Sequence, residues 1–136
     1  MRRTESRPTT DSPPSSRYRD GMTELFHIAE RADWEAAREV GEYRGSTRGV
    51  SLEQEGFIHF SLRHQVRGVA ERFYADLDDL VVLVVDADRL TAPLKYEPPA
   101  PGAELFPHLY GPLPTDAVID VLPVTRDAAG RFVLPE

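Results

Sequence analysis

Leu80-Val81-Val82-Leu83-Val84-Val85 is the stretch that decides the fold. It is a continuous run of valine and leucine that Asp86 ends, and such a run without polar alternation is typical of a strand buried on both faces. A strand of that kind needs packing partners on either side. The sequence therefore predicts that this segment lies at the centre of a sheet.

Two amphipathic segments upstream predict the helices that cover this sheet. In the first, Asp33 is the predicted N-cap, and Gly41 is the predicted left-handed residue after the last turn, where it carries no Cβ penalty. The second is predicted to begin at Ser61 as N-cap and to carry apolar residues at helical spacing as far as Phe73. Both helices are expected to pack on the sheet.

Short strands are predicted around these helices. They fall at 23–28, 57–60, 94–96, 106–110, 117–124 and 132–134, the last after a turn at Ala129-Gly130. Ser51-Leu52-Glu53-Gln54 resembles a capping box, and Gly56 is predicted to stop that helical turn. Short strands combined with two main helices are typical of an α+β domain.

The chain has room for one domain. Its 136 residues are 40% hydrophobic and 29% charged, which is ordinary for a globular protein with a modest core. Residues 1–21 are mostly Arg, Ser, Thr, Pro and Asp, so they are predicted to be a disordered tail, and the domain is assigned to 22–136. The tail is interpreted as a mis-assigned translation start before Met22; a short recognition arm is the alternative.

Composition excludes several classes of function. The chain has no cysteine, which excludes disulfides, thiolate metal sites and cysteine nucleophiles and agrees with a reducing compartment. A formal charge of −7 disfavours nucleic acid and anionic membranes as partners. No apolar run approaches the roughly 20 residues of a membrane helix, and the start lacks a secretory signal. The expected location is the cytoplasm, and the expected partner is a small molecule.

Gly56-Phe57-Ile58-His59-Phe60-Ser61 is the best functional mark in the sequence. Alternation along a strand sends His59 to the face opposite Ile58 and Phe60, where an imidazole can bind a ligand or move a proton. The alternative is a structural histidine satisfied by backbone groups. Ser61 is interpreted as a helix cap, as a hydroxyl that favours an anion at a helix N-terminus, or as both.

Phe106-Pro107-His108-Leu109-Tyr110-Gly111-Pro112 is the second candidate segment. Its aromatic, imidazole and rigid turn residues suit the wall of a pocket for a flat ligand; an edge strand with a rigid turn is the alternative. His59-Phe60-Ser61-Leu62 matches half of the paired signature of two-histidine phosphoesterases, but no second copy follows another histidine. A metal site is not expected, because no two histidines have H-x-x-x-H spacing.

Several segments, taken in order, resemble a small bacterial family known as domain of unknown function 952. They are Phe26-His27-Ile28, Trp34, Gly41-Glu42-Tyr43, Ser51-Leu52, E-G-F-I-H-F-S at 55–61 and F-P-H-L-Y-G-P at 106–112. The resemblance runs from about residue 23 to residue 124. The combination of the last two motifs at this separation is specific.

The fold of that family is similar to that of ADP-ribosyltransferases, split-sheet domains that bind NAD in a cleft and transfer ADP-ribose. The resemblance implies that His59 corresponds to the first-strand residue that holds a ribose hydroxyl, and Tyr74 to the aromatic residue that stacks on nicotinamide. Where those enzymes have a late-strand glutamate, this sequence has His108. Glu97 and Glu104 in the preceding loop can replace that glutamate only if the loop folds inward.

Three hypotheses of function follow. The first is a divergent ADP-ribosyl-transferring or NAD-consuming enzyme in which His59 and His108 are catalytic, with NAD as substrate and no resident cofactor assigned. Its expected ligand-binding residues are Ser61, Tyr74, Phe106 and Tyr110. The second is a non-catalytic module for a nucleotide or small metabolite, and the third is a structural or partner-binding domain. The first two require His59 and His108 to converge on one open cleft.

Overall fold

The computed structural model describes residues 23–134, so the predicted tail at 1–21 lies outside the described residues. In chain order the elements are β1 (Glu24–Glu30), α1 (Arg31–Val40), β2 (Glu42–Tyr43), α2 (Leu52–Glu55), β3 (Ile58–His59), α3 (Val66–Phe73), β4 (Leu80–Asp86), β5 (Leu94–Glu97), β6 (Phe106–Leu109), β7 (Leu113–Pro114), β8 (Val118–Pro123), β9 (Thr125–Arg126) and β10 (Phe132–Val133). Two short 3-10 turns, Ala87–Arg89 and Thr115–Ala117, follow β4 and β7.

Strand β4 lies at the centre of a three-stranded antiparallel sheet in the order β1-β4-β8. Its first six residues are all buried, which confirms the prediction of a strand covered on both faces. Successive side chains alternate between two core clusters: Val81, Leu83 and Val85 belong to one, and Leu80, Val82 and Val84 belong to the other. Because apolar residues pack on both faces of this strand, a run without polar alternation is what its first six positions require.

Each face of the central sheet is covered by one of the two longest described helices. Helix α1 contributes Trp34 and Ala37 to the first core cluster, and α3 contributes Val66, Val69 and Ala70 to the second. The predicted α+β class, with two main helices packed on short strands, is therefore confirmed. No helix within residues 23–134 is long and apolar enough to cross a membrane.

Helix α1 begins earlier than predicted and ends as predicted. It starts at Arg31, directly after β1, so Glu30 occupies the N-cap position and Asp33 lies in the first turn; the prediction of Asp33 as the cap is wrong. At the other end Gly41 adopts a φ of 91°, and its N–H donates to the carbonyl of Ala37. Glycine reaches this left-handed conformation without a steric penalty.

A second antiparallel sheet, in the order β3-β6-β5, carries the candidate site. Its inner face supplies Ile58 and Leu109 to the first core cluster. In the strand register His59 lies opposite His108, and His108 lies opposite Lys95. Since side chains alternate along each strand, these three residues share the outer face of this sheet.

The capping box predicted at the start of α2 is present. Ser51 Oγ accepts from the N–H of Gln54, and the Gln54 side chain accepts from the N–H of Ser51. Gly56, with a φ of 95°, ends the helix. This short turn delivers the chain into β3.

Replacing Ser51 with alanine is expected to lower the free energy of unfolding by about 1 kcal/mol, because the N–H of Gln54 loses its side-chain acceptor. Urea unfolding followed by circular dichroism measures the change. Ser51→Asp keeps an oxygen acceptor and should stay close to the unsubstituted protein. An equal loss in both variants would contradict the role of the cap.

Candidate functional site

A continuous chain of side-chain contacts crosses the outer face of the β3-β6-β5 sheet. His59 Nδ1 lies 3.3 Å from His108 Nε2, and His108 Nδ1 donates to Glu97 Oε1 at 2.9 Å. The hydroxyl of Tyr110 donates to the same Glu97 oxygen at 2.6 Å. The register explains the convergence, because Glu97 is two residues after Lys95 and Tyr110 is two residues after His108, so all four face the same side.

The surroundings fix the charge at both ends of this chain. Burial, followed by the nearby His108 and His27, lowers the pKa of His59 to about 4, so its ring is neutral at pH 7. Hydrogen bonds from Tyr110 and then from His108 hold the pKa of Glu97 below its ordinary value, so this carboxyl is ionised. Because His108 Nδ1 donates to Glu97, its Nε2 can accept from Nδ1 of the neutral His59, which leaves the lone pair of His59 on Nε2.

His59 Nε2 is buried and has no hydrogen-bond partner among residues 23–134. A buried polar atom left without a partner costs about 1–3 kcal/mol. A ligand group that donates a hydrogen bond to this nitrogen would recover that energy. Because this nitrogen is closed to solvent, its recognition of a hydroxyl or an amide would require the His59 ring to turn toward the cleft.

The outer face of this sheet forms one wall of an open cleft of about 1240 Å³. His59, His108, Glu97 and Phe106 all line it, so the two predicted histidines converge on one concavity. Helix α3 and the loop at 98–105 supply most of the remaining lining, and Thr47 and Glu55 also contribute to it. Small-molecule sites span roughly 300–1000 Å³, so this cleft has room for a nucleotide.

The loop after β5 folds inward over the cleft. His64 donates to Glu104 at 2.6 Å, and the side-chain amide of Gln65 donates to the carbonyl of Leu105 at 2.8 Å. These bonds hold the loop against the segment that precedes α3. Glu104 lines the cleft as part of this loop. Glu97 lines it too, but the prediction that Glu97 lies in the loop is wrong, because it is the last residue of β5 and its place is set by the pairing of β5 with β6.

Aromatic rings pack against the two histidines. Phe57 stacks on His108 with ring centroids 4.0 Å apart and an angle of 16°, and it also contacts the ring of Tyr110 at 5.4 Å. Phe106 lies 4.9 Å from the ring of His59. Phe106 thus lines the cleft, where the sequence predicted a pocket wall, whereas Tyr110 does not line it and contacts Glu97 and Phe57 from beside it. Phe57 was not predicted, although its place two residues before His59 in the motif assigns it to the same side of the chain.

A deeper histidine supports β3 from the central sheet. His27 is buried, its Nδ1 donates to the carbonyl of His59 at 2.7 Å, and its Nε2 accepts from the hydroxyl of Tyr43 at 3.0 Å. Burial lowers the pKa of His27 to about 4, against the opposing effect of the bond to His59, so the ring is neutral in these roles. The sequence analysis named His27 only as part of the motif Phe26-His27-Ile28. Its place between apolar residues of a predicted strand could have indicated a buried structural histidine.

Two residues predicted to bind ligand lie away from this cleft. Ser61 is buried and exchanges backbone hydrogen bonds of 2.7 and 2.8 Å with Phe26 of β1, so it joins the two sheets, and α3 begins only at Val66. Tyr74 follows α3 and turns into the second core cluster, where its hydroxyl accepts from the N–H of Arg48 at 3.1 Å beside a separate pocket of about 200 Å³. The prediction of Ser61 as the N-cap of α3 is wrong, since Gln65 occupies that position, and neither Ser61 nor Tyr74 lines the cleft that His59 and His108 share.

These features define a class: a small α+β domain with a cleft lined by histidine and glutamate. No group of three or more His, Asp or Glu side chains suited to a metal occurs within residues 23–134. Residues 28–121 match the family described as protein of unknown function, DUF952, and the chain belongs to this family, as its motifs predicted.

Solved structures of one family member resemble this chain. The crystal structure of protein CC0527 from Caulobacter crescentus is 34% identical, covers 82% of this chain and 94% of its own, and has a TM-score of 0.71. The solution NMR structure of CC0527 is 36% identical, covers 81% and 91%, and has a TM-score of 0.65. No curated protein matches the sequence. These neighbours show the family fold and do not show a likeness to ADP-ribosyltransferases.

Proposed function

We propose that this domain is a divergent enzyme that cleaves the bond between nicotinamide and ribose in NAD and passes the ADP-ribosyl group to an acceptor. The observation that carries the proposal is the chain of contacts from His59 through His108 to Glu97 on the wall of an open cleft. The class of reaction comes from the expected similarity of this family's fold to that of ADP-ribosyltransferases, a similarity that the solved neighbours do not show.

Glu97 is the group suited to stabilise the transition state. When the bond from ribose C1′ to the nicotinamide nitrogen breaks, its electron pair neutralises the pyridinium ring and C1′ acquires oxocarbenium character. A carboxylate beside C1′ stabilises that positive charge. Glu97 is ionised, its two hydrogen bonds both end on Oε1, and no described residue donates to Oε2. Oε2 is therefore the atom available to the developing cation.

His59 is suited to hold and deprotonate a hydroxyl. A neutral imidazole with its lone pair on Nε2 accepts a hydrogen bond from a ribose or acceptor hydroxyl. As the acceptor oxygen bonds to C1′, its proton passes to Nε2, and His59 can pass the proton from Nδ1 to His108. The new charge then rests beside the carboxylate of Glu97. The lowered pKa of His59 also matters because an imidazolium in the ground state would oppose the oxocarbenium ion.

Release of nicotinamide from NAD by the full chain tests this proposal. We expect the unsubstituted protein to release nicotinamide and His59→Ala to lower the rate by about 100-fold or more, in the range of general acid–base catalysis. Val40→Ala, which changes an exposed side chain at the end of α1 that does not line the cleft, serves as the control and should keep most of the rate. Chromatography of the products measures it, and no release by the unsubstituted protein would refute the enzyme.

A non-catalytic nucleotide-binding module is the second candidate. It is favoured by the two hydrogen bonds that Glu97 Oε1 accepts, from His108 and Tyr110. A carboxylate bonded in this way is typical of a structural role. A rise in melting temperature with NAD, without nicotinamide release, would support the module if His59→Ala and His108→Ala abolish the rise. Absence of both effects would favour the structural or partner-binding role.

A further inference from the structure

Gly68 is the third residue of α3, a position at which nothing in the fold requires glycine. Its φ is not positive, and a Cβ built on it would meet no atom within 4 Å. Glycine inside a helix is about 1 kcal/mol less favourable than alanine. Gly68 lines the cleft, so the missing side chain leaves open space directly against the helix backbone.

Arg72 lies one turn further along the same face, because residues four apart on a helix are neighbours. It lines the cleft, and its guanidinium lies 5.6 Å from the ring centroid of Phe73. No carboxylate of residues 23–134 forms an ion pair with it, whereas Arg63 pairs with Glu24 and Arg67 pairs with Glu71. Within the described chain, Arg72 is a cleft arginine whose donors are not taken by an acidic side chain.

The helix wall and the sheet wall therefore differ in charge. The sheet wall carries the ionised Glu97, and the helix wall carries Arg72. A ligand with a cationic ring and an anionic diphosphate is complementary to both walls at once. The planar guanidinium of arginine matches the oxygens of a phosphate group with two parallel hydrogen bonds.

The geometry points to the α3 wall as the subsite for the diphosphate of a nucleotide, in which Arg72 binds the phosphate oxygens and Gly68 provides the clearance for them to approach the helix. The inference rests on the proposed function for the identity of the whole substrate. The ligand class that it names, a nucleoside diphosphate, can be tested without any reaction.

ADP is the probe, since it has the diphosphate and lacks nicotinamide, and calorimetric titration of the full chain measures its binding. Arg72→Gln is expected to weaken ADP binding by about tenfold or more, because a charge-assisted hydrogen bond is lost. Arg67→Gln, an exposed arginine on the same helix that does not line the cleft, is the matched control and should bind ADP normally.

Substitution of Gly68 is expected to change stability and ADP affinity in opposite directions. Gly68→Ala is expected to raise the melting temperature by about 4 °C, since alanine is the better helix former, and to weaken ADP binding. Gly68→Leu should weaken it further, because the longer side chain fills the space beside the helix. A variant that is more stable and binds less tightly cannot be explained by misfolding.

The outcomes separate this inference from the proposed function. ADP binding that depends on Arg72 and Gly68, in a protein that does not cleave NAD, would support the subsite and refute the enzyme. NAD cleavage with a KM that Arg72→Gln and Gly68→Leu leave unchanged would refute the subsite and support the enzyme. Failure of the unsubstituted protein to bind ADP would also refute the subsite.

Discussion

Lowering the pH from 7 to 5 is expected to reduce the free energy of unfolding by roughly 4 kcal/mol, about half of it from His27 and half from His59. Both histidines have a pKa of about 4 in the folded protein, against an ordinary value of 6.5. Between those values the unfolded chain binds more protons than the folded one, so acid favours unfolding. The loss begins as the pH falls through 6.5 and is complete near 4.

Urea unfolding at pH 7, 6 and 5 measures this dependence. His27→Gln removes one of the two groups, so the fall in stability over this pH range should be about half as large, whatever the variant's stability at pH 7. Val40→Ala changes an exposed side chain that carries no titratable group and should leave the slope unaltered. A slope in His27→Gln equal to that of the unsubstituted protein would show that the buried imidazole is not the group that titrates.

Glu97→Gln is expected to lower the rate of nicotinamide release by about 100- to 1000-fold, the effect of removing one transition-state stabilising group. The amide oxygen of glutamine can still accept from His108 and Tyr110, so the change removes the charge and preserves the shape. The loss should therefore fall on kcat, while KM for NAD and the melting temperature stay close to their original values.

Glu39→Gln, a carboxyl on the exposed side of α1, is the control for the general effect of losing one negative charge. It should keep the full rate. If Glu104→Gln abolished nicotinamide release and Glu97→Gln did not, the charge that acts on ribose would belong to the loop, and the role given to Glu97 would be wrong.

Local rules predicted the elements whose causes are local. The apolar run at β4, the glycine after α1 and the capping box before α2 each depend on neighbouring residues alone, and all three are present. Ser61 has the local character of a helix cap. Its backbone instead pairs with Phe26, far earlier in the chain, and this pairing determines where α3 can begin. No pattern near Ser61 carries that information.

The candidate site shows the same limit. Alternation along β3 correctly placed His59 opposite Ile58, and the composition of β6 drew attention to His108. The contact of Glu97 with His108 depends on the pairing of β5 with β6, which a sequence pattern does not specify. Tyr74 lies away from the cleft because the chain after α3 turns toward the second core cluster, in which its ring is buried.

Strand β3 has only two residues, so its own backbone pairing is too short to hold a reactive side chain rigidly. The bond from His27 to the carbonyl of His59 fastens it to the interior of the central sheet. A substitution at His27, or one that removes the Tyr43 hydroxyl that orients it, would shift the imidazole of His59. Chemistry in this domain can therefore change through substitutions that alter none of the side chains a bound molecule touches.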